Sequence, residues 1–406
     1  MYSSHAGNKF VALFKINLNK IKQMNSVSFK QVRGFALYAS VAFTFTACNS
    51  DDDDNQMELE VPATYEFMRD GSNSVFYSGQ TERLDMLAQL TTELKTSNTV
   101  GAAALDVNTL KNMFRNENNP FAVEYGKNLS SKCFAPDTNL FLGALEEAAL
   151  VSQAQGTASN GVAGVLVEGT ELQGYRVNAN GLELIQIVDK GLMGAVFYYQ
   201  AMEVYFSQER MSDLGNDDLV DGENYTSMEH YFDEAFGYFG APVDFPSSMS
   251  IDDARFWAKY CGRRDGGLYS GINEEISLAF RTGRAAIVAK NYEARDEAIQ
   301  VVMEKWSIVI ASTAVDYLNK GMSEPVSGGT ESSRHHALSE AVGFMMGLKH
   351  HSLGGNSKFP PRYTYSHIQD ALDIVGMETN IYELTDQDLE EAIGHIEMAF
   401  PSGEIK

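Results

Sequence analysis

The chain has 406 residues, 44% of them hydrophobic and nine of them proline, enough to bury one large core or two smaller ones. Its 31 basic residues include six within 1–47, where no Asp or Glu falls, so beyond that point 25 basic residues face 55 acidic ones. A surface that negative repels nucleic acid and anionic lipid head groups, which argues against both as partners of the folded body, and it suits solubility and the collection of cations.

The first segment reads as an address. Met24 opens a basic stretch with Lys30 and Arg33, and "GFALYASVAFTFTAC" then runs apolar to Cys48. That order describes a secretory signal peptide over 1–47 with its true start at Met24, and the run is too short to remain as a membrane span. Thr46-Ala47-Cys48 is similar to a lipobox, with Phe45 where leucine is usual, and this resemblance implies lipidation of Cys48. Residues 48–60 follow as an acidic tether, too polar and self-repelling to fold. Ser50-Asp51-Asp52-Asp53-Asp54 resembles the export signal of Bacteroidota lipoproteins, which implies display on the outer face of the outer membrane.

From Val61 the pattern predicts an all-α fold with few short strands. "TERLDMLAQLTTELK" spaces Leu84, Leu87, Leu90 and Leu94 at three to four residues, and "NLFLGALEEAALVSQ" repeats this with Leu140, Leu142, Leu145 and Leu150. Residues 181–211 are apolar nearly all round and predict a central buried helix. Residues 273–321 predict two helices, and "TYSHIQDALDIVG" and "LTDQDLEEAIGHIEMAF" two more, the last capped by Thr385 with Asp388 in its first turn. Gly- and Ser-rich stretches at 156–164 and 323–333 predict loops, while "NSVFYSGQ" and "GTELQGYRV" predict short strands. Cys133 and Cys261 are either a single disulfide or a pair of buried thiols.

One pattern occurs twice. "HYFDEAFGYFG" from His230 and "HALSEAVGFMMG" from His336 share His-x-x-x-Glu-Ala-x-Gly-aromatic, and each follows a long apolar helix and a polar loop. The repetition predicts an internal duplication, two related helical bundles over roughly 61–265 and 266–406. Residues four apart share a helix face, so His230 with Glu234 and His336 with Glu340 form two pairs above a small-residue surface at Ala235, Gly237, Ala341 and Gly343. The structural reading makes each His bond its own Glu while the Glu holds a loop or an arginine, Arg281 or Arg284. The functional alternative makes the pairs ligands for iron or zinc, with Glu229, Asp233 and His335 nearby as further binding residues. "LKHHS" reads as solvated surface at His350 and His351, and His367 and His395 read as isolated. The aromatic residues Tyr238, Phe239 and Phe245 read as packed under the fold. There is no His-Glu-x-x-His, nucleophile elbow or phosphate loop.

Together with the lipobox and tether, "SGQTERLDML", "EHYFDEAFGYFGAP", "FRTGRAAI" and "HHALSEAVGF" make the chain resemble a Bacteroidota surface lipoprotein family of unknown function, related to the imelysin-like proteins, over roughly 60–400. That resemblance implies a duplicated helical bundle at the cell envelope, linked to iron uptake beside an outer-membrane transporter. The imelysin motif Gly-x-His-x-x-Glu does not occur; Gly394-His395-Ile396-Glu397 has the wrong spacing, so no imelysin ligand carries over. The expected function is nutrient capture, most directly of iron or an iron-bearing ligand, without enzymatic activity. A metallopeptidase and a glycan-binding surface lipoprotein are the alternatives.

Overall fold

A computed structural model describes residues 59–246, 253–322 and 330–406; the signal segment, Cys48, most of the acidic tether and much of the loop expected at 323–333 lie outside these. Among the described residues the chain is helical, with eleven α-helices and two small two-stranded sheets. Strand β1 (Met68–Arg69) pairs antiparallel with β2 (Ser72–Asn73), and β3 (Gly164–Val167) with β4 (Gly174–Val177), Gly164 opposite Val177. The strand in "GTELQGYRV" is therefore present, whereas "NSVFYSGQ" contributes only Asn73 to a strand and turns helical at Ser78.

Helix α1 (Ser78–Lys95) buries Leu84, Leu87, Leu90 and Leu94, the predicted stripe. After α2 (Val107–Arg115) comes α3 (Thr138–Val151), where the expected leucine stripe is corrected. Leu150 is 64% exposed, and the inward face is Phe141, Ala144, Leu145 and Ala148, whose three- and four-residue steps keep a single face. The apolar stretch at 181–211 is central: α4 (Leu184–Leu192) continues into π-helical turns at Met193–Tyr198 and Gln200–Tyr205, nearly all of it buried. Then follow α5 (Ser227–Phe239), α6 (Phe256–Arg264), α7 (Ile272–Val288) and α8 (Tyr292–Lys320). The expected division of 273–321 falls at the three residues between α7 and α8. By length and composition α8 could cross a membrane, but 78% of its most apolar window is buried against protein, as suits a core helix. Helix α9 (Glu331–Gly354) lies against α4 and α8, and α10 (Tyr365–Ile374) pairs with α11 (Asp386–Ala399). Thr385 caps α11 in a reciprocal box with Asp388, as its sequence predicts.

One hydrophobic core runs from Tyr65 to Ile405, through both of the halves expected from the repeat. Tyr238, Phe239 and Phe245 are buried in it, with the Phe239 ring 4.9 Å from Trp306. Cys133 and Cys261 are free and buried, and burial pushes the Cys133 thiol up to about 12.

Glycines let α9 approach α4 closely. A β-carbon at Gly343 would stand 2.6 Å from the Lys190 β-carbon and 2.9 Å from the Gln186 carbonyl oxygen, so α9 lies on α4 with almost no gap. One turn on, a β-carbon at Gly194 would collide with the backbone of Gly347, while one at Gly347 would meet Gly194 at an ordinary 3.5 Å. Gly194→Ala is therefore expected to lower stability by about 1–3 kcal/mol through overpacking. Gly347→Ala is expected to be neutral or to stabilise by up to about 1 kcal/mol, because alanine favours the helix. Urea unfolding of the two variants checks the asymmetry, and equal losses would refute it.

Candidate functional site

The two copies of the repeated motif meet different surroundings. Both helices begin at a threonine capping box, Thr226 with Glu229 and Thr330 with Ser333. In the first copy, His230 Nδ1 lies 3.0 Å from the Phe76 carbonyl and its ring stacks on Tyr225 at 4.7 Å. Its Nε2 is 3.9 Å from Glu234, whose other oxygen accepts hydrogen bonds from Gln80 (2.7 Å) and Tyr205 (3.1 Å). The expected partnership of His230 and Glu234 is thus a loose one, and the carboxylate holds α1 and the π-helical turn instead of an arginine.

The arginine is held one turn earlier. Arg284, with no exposed side-chain area, places Nη1 2.9 Å from Glu229 and Nε 2.9 Å from Asp233, both of which are also fully buried. Arg69 closes a fork on Glu229 at 2.7 Å, and the Tyr65 hydroxyl and Phe76 N–H donate to Asp233. Burial raises Asp233 to about 6 against the pull of Arg284, Tyr65 and the Phe76 N–H. Burial also opposes the charged form of Glu229, but Arg69 and Arg284 outweigh it and lower its pKa. Two acids and two guanidiniums with their hydrogen-bonding capacity engaged make this a tie between the N-terminal hairpin, α5 and α7. Arg281 lies outside it, bonded to Glu274 and the Pro62 carbonyl.

In the second copy, His336 does not pair with Glu340. Its Nδ1 donates to Glu183 at 2.6 Å, and its ring lies on Tyr175 at 4.2 Å, nearly parallel. Glu340 instead faces Lys190 at 3.3 Å, beside Asp189 at 2.6 Å from the same ammonium. His335 is buried with Nδ1 2.8 Å from the Gly181 carbonyl, where Gly181 takes φ +82° and any β-carbon would strike the imidazole. With these partners, each imidazole and carboxylate of the two motif copies is engaged by a different neighbour: His230 by the Phe76 carbonyl, Glu234 by Gln80 and Tyr205, His336 by Glu183 and Glu340 by Lys190.

The surroundings of His336 nevertheless form a site. The β3–β4 hairpin, the start of α4 and the first turns of α9 line a cleft of about 650 Å³. Tyr175 and Gln173 come from the hairpin, Glu183 and Gln186 from α4, Ser333 and His336 from α9. Glu183 is held by the Gln186 amide (3.2 Å), while its own N–H donates to Ser339 (2.9 Å). The Gln186 side-chain oxygen, Oε1, is buried without a hydrogen-bond partner, and among the described residues none is found for His336 Nε2 either. A carboxylate thus fixes the tautomer and orientation of an imidazole whose second nitrogen is left as an acceptor. Burial works against protonation of His336, but the hydrogen bond and charge of Glu183, with Glu340 beyond, raise its pKa on balance.

Two further imidazoles correct the expectation of a solvated "LKHHS". His350 and His351 are buried because α9 is enclosed along most of its length, and they point to different carboxylates: His350 Nε2 to Asp137 at 2.8 Å, His351 Nδ1 to Glu203 at 2.9 Å. Burial lowers the His350 pKa despite Asp137. The stabilising effect of His336 is fully present below an unfolded pKa of about 6.5 and lost as pH rises through its raised folded value; that of His350 is present above it and lost as pH falls. His336→Gln is therefore expected to flatten the alkaline limb of a melting temperature–pH profile, and His350→Gln the acid limb. An unchanged profile in either variant would contradict the assignment.

No curated protein and no solved structure matches the chain. Residues 62–400 match a family model described as a domain of unknown function, DUF4856, a span that takes in the cleft, the arginine network and every helix from α1 to α11. The chain belongs to the DUF4856 family.

Proposed function

We propose that this protein is a lipid-tethered capture protein of the outer membrane, displayed at the cell surface, and that it holds a small polar nutrient in the His336 cleft for an outer-membrane transporter. The observation that carries the reading is the Glu183–His336–Tyr175 arrangement, an oriented imidazole and an aromatic face lining one cleft whose wall also holds Gln186 with its buried, unpaired Oε1. An iron-bearing chelate suits these groups better than a bare ion, because one imidazole acceptor and mixed donors and acceptors recognise an organic ligand. The lipid tether rests on Thr46-Ala47-Cys48 and the acidic run after it. The glycan-binding alternative loses its proposed aromatic patch to the core.

We read the two motif helices as copies of one unit in an imelysin-like plan. Supporting this are the threonine box that opens each and the glycine against which a neighbour packs, Tyr77 on Gly237 and α4 on Gly343. The copies have diverged in length, α5 ending at Gly240 with φ +83° and α9 continuing to Gly354.

The test is calorimetric titration of the tag-free protein with ferric citrate and a panel of small polar nutrients. Binding at micromolar or better affinity, weakened about tenfold or more by His336→Ala and by Glu183→Gln, is the expected result. A panel without binding, or affinities equal in wild type and both variants, would sink the reading. Turnover of a bound compound would replace capture with catalysis.

A further inference from the structure

Helices α10 and α11 bring together three side chains that stand apart in the sequence. His367 and Asp370, three residues apart, share a face of α10, and His395 reaches them from α11. His367 Nδ1 lies 3.5 Å and His395 Nδ1 3.7 Å from the same oxygen of Asp370, and all three ligand atoms lie within 4.8 Å of one another. The two imidazole rings run side by side, 6.3 Å between centres and 27° between planes.

Both Nδ1 atoms are shut off from solvent and neither has a hydrogen-bond partner. A buried polar atom without a partner is unfavourable, and here two of them face one carboxylate oxygen, an arrangement that a bound cation would satisfy. The spacing suits a cation. An ion held at about 2.0–2.2 Å in tetrahedral coordination keeps its ligand atoms about 3.3–3.6 Å apart, close to the two measured edges. Asp370 is half exposed, so solvent can complete the coordination.

We propose that His367, Asp370 and His395 bind a divalent transition metal of the zinc class, tying α10 to α11. Two imidazoles and one carboxylate favour zinc over magnesium or calcium, which prefer oxygen ligands throughout. The site is separate from the His336 cleft and does not depend on capture there.

The test is equilibrium dialysis of the tag-free protein against zinc chloride with excess magnesium present, read by elemental mass spectrometry and by melting temperature. One zinc per chain and a raised melting temperature are expected in the wild type, with affinity lost at least tenfold in His367→Ala and in His395→Ala. Asp370→Asn, on the exposed side, provides a mild variant should either alanine variant fold poorly. The His230→Ala/His336→Ala double variant is expected to retain the metal. Zinc retained equally by the wild type and a folded His367→Ala/His395→Ala variant, or no zinc in the wild type, would overturn the proposal.

Discussion

Replacing Arg284 with alanine is expected to be the most damaging single change in the described structure, costing about 3–5 kcal/mol. The guanidinium has no exposed area and touches Glu229, Asp233, Ser74 and the face of Phe67 at once. Without it, two carboxylates remain buried with only Arg69 as a cation, and Asp233, already raised to about 6, moves further up. A raised carboxylate means the folded state binds more protons than the unfolded one, so its favourable contribution is present at low pH and lost as pH rises. The variant should therefore be relatively more stable near pH 5 than near pH 8, with a steeper decline than the wild type. Arg284→Lys should recover only part of the loss, because an ammonium cannot fork between two acids. Urea midpoints of the three proteins at both pH values check this; a loss below about 1 kcal/mol, or a flat pH response, would refute it.

The second large effect is expected at Glu203. Its carboxylate takes the His351 imidazole on one oxygen and the N–H groups of Asn356 (2.7 Å) and Ser357 (3.2 Å) on the other, joining the π-helical turn to the chain just beyond α9. Glu203→Ala strands three buried or half-buried donors and should cost about 2–4 kcal/mol. Glu203→Gln keeps an acceptor for the two backbone groups and should cost less. His351→Leu removes only one of the three bonds and should cost less than Glu203→Ala. The order of the three midpoints is the measurement, and a His351→Leu loss equal to that of Glu203→Ala would show that the backbone bonds contribute nothing.

The helices were readable because their causes are local. The Leu84–Leu94 stripe, the Thr385 box and the break between α7 and α8 each depend on residues within a few positions of one another. The motif glycines were readable as close-approach positions for the same reason, although which neighbour fills the space was not. The site was less legible. Glu183 and His336 are 153 positions apart, and nothing in the spelling of "HALSEAVGF" shows that the imidazole turns away from Glu340, four residues on, to a distant acid. His350 and His351 were misread because adjacent helical residues point in different directions, which spoils a shared site but not two separate ones. His-x-x-Asp at 367–370 was the available signal for the α10–α11 cluster, and its third member comes from a different helix.

The histidines of α9 have a mechanical consequence. His336, His350 and His351 all reach carboxylates from the first half of the chain, Glu183, Asp137 and Glu203, and the first and last are separated by about 22 Å of helix at 1.5 Å per residue. A rod pinned at both ends to the same body can neither tilt nor slide without breaking a pin. The cleft therefore has one stiff wall, α9, facing the two-stranded β3–β4 ribbon, which is itself hydrogen-bonded to Asn98, Gly156 and Ala158. A ligand held in the proposed cleft would meet a wall already fixed in place, and amide exchange should slow in 164–177 on binding while α9 stays unchanged.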